Sequence, residues 1–571
     1  MTKGAESWGP SVPFSEELHK EKYRAEGESF SEAQARFAHT LADNQAHFRA
    51  LYNILLDMRF LGAGRTQAAI GSPRQVTAFN CFLSGEIEDS IDSIMNKAKE
   101  SAQTMRLGGG IGYDFSTIRP RGDNIVSLDS KASGPLSFMG IFDAVCHTIS
   151  SAGHRRGAQM GVLRIDHPDI EEFIRAKQND TSLRAFNLSL GVTDKFMEAV
   201  RDNLPFDLVF EGRVYKTVNA NNLYEEIMRS TWDWAEPGVL YLDRINEMNN
   251  LYWCETISAT NPCGEQPLPP YGACLLGSFN LVKYLKDMGD SSMPKFDYDQ
   301  LRADIPHVVR AMDNIHDNTT FPLPEQAQES KDKRRMGLGI TGLANAGEML
   351  GVAYGSKEFI DFTEKVLETI RDRVYLASIN LAKEKGAFPL FDAERYCEGK
   401  FIATLPKRIR DRIKEHGIRN SHLLSIAPTG TISLSADNVS SGIEPVFAHF
   451  YDRTIQSFDG AKTERVEDYA YTRGVFGKTA SECTAQEHLK VLTTAQKYVD
   501  SACSKTINID PKTSWEDFKQ IYMTAWENGA KGLTTFNPAG KRYGVLNEVK
   551  PKEKGAEACY IDTTTGIRTC E

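Results

Sequence analysis

Asn261-Pro262-Cys263-Gly264-Glu265 sets a thiol two residues from a neutral amide on one side and two residues from a carboxylate on the other, inside a loop rich in proline and glycine. A second thiol follows in Tyr271-Gly272-Ala273-Cys274-Leu275. The pattern places a nucleophile or radical centre between a hydrogen-bonding group and a general base. A lone cysteine in a turn also reads as a small buried residue. Half a zinc site fits poorly, because ten residues separate Cys263 from Cys274 and structural zinc ligands stand about two to four apart.

At 571 residues the chain is too long for one ordinary core, so one large barrel or two to three domains is expected. Net charge is −10, which argues against a surface that tracks nucleic-acid polymers and leaves local arginines for small phosphates. No stretch approaches the ~20 apolar residues of a membrane span, and Met1 to Ser15 lacks the basic-then-apolar pattern of a leader. A cytoplasmic protein is expected. Ten cysteines are too few for a disulfide scaffold, so those that matter do so chemically.

Upstream of the cysteine loop, Phe37, Leu41, Phe48, Leu51, Leu55 and Met58 recur at helical spacing from Phe30 on, and Ser31 with Gln34 forms a capping-box pattern. Gly62-Ala63-Gly64-Arg65-Thr66 and Ala78-Phe79-Asn80-Cys81-Phe82 follow, the latter carrying a third thiol. A helix is predicted from Glu88 to Met105, with acidic residues in its first turns, before Gly108-Gly109-Gly110-Ile111-Gly112 interrupts it. Arg155 and Arg156 occupy a loop suited to phosphate or base contacts or to a plain surface charge pair.

Strands are predicted at Asn187–Val192 and Phe206–Phe210, and helices at Leu223–Trp234 and Lys357–Lys385. His422 to Ala427 reads as a buried strand emptying into Pro428-Thr429-Gly430-Thr431-Ile432-Ser433, a turn whose backbone N–H groups favour an anion. Helices at Ala485–Cys503 and Trp515–Asn528 and a strand at Gly532–Phe536 complete an α/β pattern. Beyond Pro538 the composition turns to Lys, Glu and Gly, and Cys559 and Cys570 sit on that tail, where redox use accounts for exposed thiols.

Two thiols that become a disulfide release two electrons, and a mobile dithiol resets them. With this set, Asn261-Pro262-Cys263-Gly264-Glu265 followed by Cys274-Leu275-Leu276-Gly277-Ser278 resembles the adenosylcobalamin-dependent (class II) branch of the ribonucleotide reductases, from about Phe14 to the C-terminus. The resemblance implies an α/β fold, a ten-stranded barrel of two five-stranded parallel halves with a central finger loop and an N-terminal helical region. The divisions are 1–64 for that region, 65–545 for the catalytic barrel and 546–571 for a flexible redox tail. It implies that Cys263 becomes a thiyl radical that takes the ribose 3′ hydrogen, that Glu265 takes the 3′-hydroxyl proton and that Asn261 holds the ribose. Cys81 and Cys274 then supply reducing equivalents, and Cys559 and Cys570 restore them through a thioredoxin- or glutaredoxin-like protein.

The same resemblance puts a ribonucleoside di- or triphosphate on Pro428, Thr429, Gly430, Thr431, Ile432 and Ser433, with Thr66, Asn80 and Gly110 lining the pocket. Asp89, Ser90 and Arg119 match the family's specificity site, where a deoxynucleoside triphosphate binds at a homodimer interface, and Arg155 and Arg156 lie on the loop that relays its identity. Class I relatives receive their radical through a Tyr-Tyr pair, and where it would stand this chain reads Leu533-Thr534-Thr535-Phe536-Asn537. Neither the glycyl-radical motif nor the four-cysteine zinc site of class III is present, which leaves adenosylcobalamin and no metal held by side chains. Nothing before Phe30 resembles the family's ATP-binding regulatory domain. The alternatives are a class I large subunit that needs a radical-generating partner, and a non-catalytic nucleotide-binding protein on the same fold.

Overall fold

Helices come first because the apolar spacing near the N-terminus is helical, and among the described residues three of them precede the first strand: Pro13–Tyr23, Phe30–Leu41 and Gln45–Leu56. The periodicity from Phe30 to Met58 reads as one helix, and the chain breaks it at Ala42–Asn44. Asn44 is extended and its side chain accepts from the His47 N–H at 3.0 Å, so it caps a new helix, while Asp43 turns out to meet Arg310 at 2.7 Å. The capping box is Ser29 with Glu32, not Ser31 with Gln34. Ser29 is the last extended residue, and the two predicted residues lie inside the helix, where Gln34 is buried. The computed structural model describes residues 8–125, 129–149, 158–178, 182–287, 293–457, 460–510, 512–541, 547–548, 559–561 and 568–570.

The architecture is α/β. One sheet has eight strands in the order Ala273–Cys274, Cys81–Leu83, Gly110–Asp114, Gln159–Arg164, Phe186–Val192, Gly238–Tyr241, Gly532–Phe536 and Thr506–Asn508. The five from Cys81–Leu83 to Gly238–Tyr241 run parallel, and their outer neighbours join them antiparallel at both seams. A second sheet holds Phe60–Gly62, Leu276–Asn280 and Gly337–Thr341. The chain passes from Ala273–Cys274 in the first sheet straight into Leu276–Asn280 in the second, and parallel bridges at Leu338/Leu424 and Ile426/Cys503 link the far edges.

Several predicted elements fall in place: Lys357–Lys385 and Gly532–Phe536 with their predicted bounds, Phe186–Val192 and Ala220–Trp234 with earlier starts. The Phe206 strand, Pro205–Phe210, pairs in a separate hairpin with Arg213–Asn219. His422 to Ala427 enters the ladder only through Leu424 and Ile426. Its Leu423 and Leu424 N–H groups go instead to the buried Asp500 carboxylate, at 2.8 and 2.9 Å. The helix predicted to reach Cys503 ends at Gln496, because the Ser501 and Ala502 N–H groups are used on Leu424 O and Glu265 O as the chain leads into the strand Thr506–Asn508.

Alternation along the strands separates two faces. Phe82, Ile111, Tyr113, Leu163, Leu188 and Leu190 join the large core beneath the helices. Cys81, Leu83, Met160, Val162, Leu240, Cys274 and Leu276 form a smaller inner cluster with Ile257, Ala259 and Leu268. Ala259 and Leu268 belong to a two-stranded ribbon, Ala259–Thr260 against Pro267–Leu268, that threads this interior with residues 261–266 at its tip. Two glycines admit it: a Cβ at Gly112 would lie 1.9 Å from Thr260 O, and one at Gly337 would lie 2.3 Å from Gln266 Nε2. Among the described residues no helix is long and apolar enough to cross a membrane.

Candidate active site on the central ribbon

The tip is a closed loop. Asn261 donates its N–H to Gln266 O at 3.1 Å and accepts the Gln266 N–H on its side-chain oxygen at 3.0 Å, while Gly264, with φ +79°, returns its N–H to Asn261 O at 3.0 Å. Glu265 O takes the Ala502 N–H and the Ser425 hydroxyl, each at 2.9 Å. From the strand Phe186–Val192 the Asn187 amide donates to Pro262 O at 2.8 Å. Cys263 is thus half-buried at the apex of a loop fastened on both sides, with Glu265 and Asn261 buried beneath it.

Behind it, Cys274 stands directly opposite Cys81 in the antiparallel seam. Such residues have Cα atoms about 4.5–5.5 Å apart, inside the ~4.4–6.8 Å range that a disulfide accepts. Burial pushes the Cys274 thiol well above its ordinary range, and the neighbouring Cys81, Glu265 and Cys263 push it further. Cys274 is therefore a protonated thiol at neutral pH, a store of hydrogen rather than a standing nucleophile.

Two cavities meet at Cys263. One, of about 710 Å³, is lined by Cys81, Cys263, Glu265, Asn80 and the turn Ala427–Ile432, with Lys22, Arg65 and Arg74 at its cationic side. The other, of about 620 Å³, is walled by Leu188, Val239, Phe447, Leu533 and Phe536, with Thr534 and Thr535 between the last two. Both lie within the ~300–1,000 Å³ of small-molecule sites. Asn80 Oδ1 and Asn261 Nδ2 are buried without a hydrogen-bond partner, which is costly unless a ligand meets them. A thiol between two cavities, with a carboxylate and a dithiol on one side, can carry hydrogen-atom and two-electron chemistry on a bound molecule.

The family model "Ribonucleotide reductase, barrel domain" matches residues 79–536. The chain belongs to the ribonucleotide reductase family. It is 35% identical over 536 residues to a protein of Mycobacterium tuberculosis named vitamin B12-dependent ribonucleoside-diphosphate reductase, covering 88% of this chain and 74% of that one. A protein of the same name from Thermoplasma acidophilum is 35% identical over 511 residues, and the match covers 83% of this chain and 64% of the relative. The vitamin B12-dependent ribonucleotide reductase of Streptomyces coelicolor is 27% identical, and the match spans 60% of its length.

Within this ribonucleotide reductase chain the remaining predicted residues separate. Pro428, Thr429, Gly430, Thr431 and Ile432 line the larger cavity, and Thr429, with φ +53°, precedes the short helix Gly430–Leu434. Ser433 does not line it; its hydroxyl donates to Thr429 O at 2.7 Å and meets the Thr341 and Thr429 hydroxyls. Thr66 is also away from the lining, fully buried and donating to Ala78 O at 2.9 Å. Gly110 lines neither cavity; it stands behind Cys81, where a Cβ would press at 3.2 Å on both Cys81 Sγ and Pro262 Cγ.

Asp89, Ser90 and Arg119 come together at the start of the helix Ile91–Arg106. Ser90 caps it by accepting the Ser93 N–H at 3.2 Å, and Asp89 pairs with Arg119 at 2.5 Å. Arg155 and Arg156 lie outside the described residues. On the tail, the backbone register sets Cys559 opposite Cys570. Sequence reasoning missed Lys22 and Arg74, and did not single out Arg65 within Gly62–Thr66. It also missed Asn187, Ser425 and Ala502, because nothing local marks a residue whose partner lies on another strand.

Proposed function

We propose that this chain is an adenosylcobalamin-dependent reductase that converts ribonucleoside diphosphates to 2′-deoxyribonucleotides, with Cys263 as its radical centre. The observation that carries this reading is the place of Cys263 in the walls of both cavities. The names of the relatives support the cofactor and the diphosphate. The residues of the smaller cavity fit the cofactor: the wall is apolar on Leu188, Val239, Phe447 and Phe536, and Thr534 and Thr535 leave room where class I enzymes carry tyrosines. When bound, adenosylcobalamin supplies the one-electron oxidation of the Cys263 thiol.

On the substrate side the Cys263 sulfur takes the ribose 3′ hydrogen, Glu265 takes the 3′-hydroxyl proton and Asn261 holds the ribose. The 2′ hydroxyl leaves as water on a proton from Cys81. Cys81 and Cys274 give two electrons as their S–S bond forms, and Cys263 returns the hydrogen to C3′. Ribonucleotide and dithiol thus become deoxyribonucleotide, water and disulfide. The substrate phosphates meet the N–H groups of Gly430 to Ile432, with Arg65, Arg74 and Lys22 as counter-charges. Cys559 and Cys570 reduce the disulfide by exchange and are recycled by a thioredoxin- or glutaredoxin-like protein.

The finer architecture belongs to the same reading. The two sheets close through Leu424 and Ile426 into a ten-stranded barrel of two five-stranded halves. Asp89, Ser90 and Arg119 take a deoxynucleoside triphosphate at a homodimer interface. The test uses the purified chain with adenosylcobalamin, dithiothreitol, a ribonucleoside diphosphate and a deoxynucleoside triphosphate, and measures deoxyribonucleotide. Product that requires the cobalamin and vanishes in Cys263→Ala is expected. A folded protein that makes none sends the search to a separate radical-generating subunit.

A further inference from the structure

The anchors of the ribbon tip are uneven. Glu265 O, two residues past the radical cysteine, takes two donors from segments of the second half, Ser425 and Ala502. Pro262 O belongs to the peptide unit that carries the Cys263 nitrogen, and it takes its donor from the first half, the Asn187 side chain at 2.8 Å. Asn187 sits in the strand Phe186–Val192. Asparagine is depleted in strands because its side chain competes for backbone groups and packs poorly, so an asparagine here calls for a side-chain role. It also lines the smaller cavity.

We infer that Asn187 is a positioning residue for the radical cysteine, its amide N–H fixing the Pro262–Cys263 peptide plane and with it the line of the sulfur between the two cavities. The inference rests on the reading of Cys263 given above and adds the group that aims it. Hydrogen-atom transfer needs its partners at near-contact, and an error of about 1 Å costs on the order of 10²-fold. Gly264 beside the cysteine leaves the loop free to swing if that peptide is released, because it already holds a positive φ with no atom near its Cβ position.

The test compares Asn187→Asp, which keeps the shape and sets an acceptor against an acceptor, with Asn187→Ala, which leaves a gap. A positioning role predicts that kcat falls at least tenfold in both and no less in the aspartate variant. KM for the ribonucleotide and Kd for adenosylcobalamin, read from its absorption spectrum, stay within threefold. Hydrogen–deuterium exchange across residues 259–268 speeds up severalfold in both variants. An aspartate variant with more than half of the wild-type kcat and unchanged exchange overturns the inference. So does a tenfold weaker cobalamin Kd with normal kcat at saturation, which makes Asn187 a cofactor contact. If the wild type shows no cobalamin-dependent turnover, the functional reading falls and the exchange measurement alone decides whether the amide holds the tip.

Discussion

Cys263, Cys81 and Cys274 are three thiols of one residue type with three environments. Cys263 is half-buried between cavities, Cys81 faces the larger one, and Cys274 is fully enclosed with its thiol held protonated by burial and by its neighbours. Since the thiolate is the species that reacts with alkylating agents, iodoacetamide at pH 8 is expected to modify Cys274 at least tenfold more slowly than Cys263. Peptide mapping by mass spectrometry checks this, and equal rates would contradict the environment described for Cys274. Cys274→Ser should still bind nucleotide and lose disulfide formation, so that product without external reductant disappears.

At the scale of elements, the ribbon and the strands around it are matched by the absence of side chains. Gly112→Ala would bring a methyl group to 1.9 Å of Thr260 O, and backbone cannot step aside as a flexible side chain does. We expect a loss of about 1–3 kcal/mol in stability, as for overpacked cores, and a larger proportional loss of activity as the tip shifts. Urea denaturation and turnover, measured together, separate the two. The helix Leu343–Met349 meets the residue after the hairpin strand Gly460–Glu467 where the Asn345 amide donates to Asp468 Oδ1 at 2.9 Å. Burial first, and Asp468 next, raise the Glu348 carboxyl to about 8 from the ordinary 4.5. Between those values the folded chain holds a proton that the unfolded chain has released, so the stabilisation is complete below about 4.5 and is lost as pH rises through about 8. Glu348→Gln is expected to flatten the fall of stability between pH 5 and 8.5 by on the order of a few kcal/mol. Parallel slopes in thermal melts of the two proteins would refute it.

Across the whole molecule, the Cys81/Cys274 pair lies on the seam where the Cys81–Leu83 strand meets Ala273–Cys274, far apart in the chain. A disulfide there closes a long loop of the unfolded chain, and loop-closure entropy of that size stabilises by up to about 5 kcal/mol. Protein that has turned over to exhaustion without external reductant, so that the Cys559/Cys570 dithiol is spent as well, should therefore show a higher urea midpoint than the reduced protein, and dithiothreitol should reverse it. The difference should vanish in Cys81→Ser. Identical midpoints would mean that the seam strains on oxidation or that the pair does not close.

Much of this was legible along the chain. The sequence alone set a thiol, a carboxylate and an amide at Cys263, Glu265 and Asn261 within one short loop, because their spacing is a local property. It also determined the α/β pattern and long helices such as Lys357–Lys385, where a helical period runs uninterrupted. Local reading misplaced the Ser29 capping box by two residues although its partner Glu32 is local, and it missed the break at Ala42–Asn44 and overran the helix that ends at Gln496, where distant partners take part: Arg310 for Asp43, Leu424 and Glu265 for residues 501 and 502. Only the tertiary structure decided that Cys274 faces Cys81, that Thr66 and Ser433 turn away from the cavity while Arg65, Arg74 and Lys22 edge it, and that Asn187 reaches Pro262. The physical reason is that register, cavity walls and cross-strand hydrogen bonds join residues from distant parts of the chain, and no local pattern of side chains records which strand becomes whose neighbour.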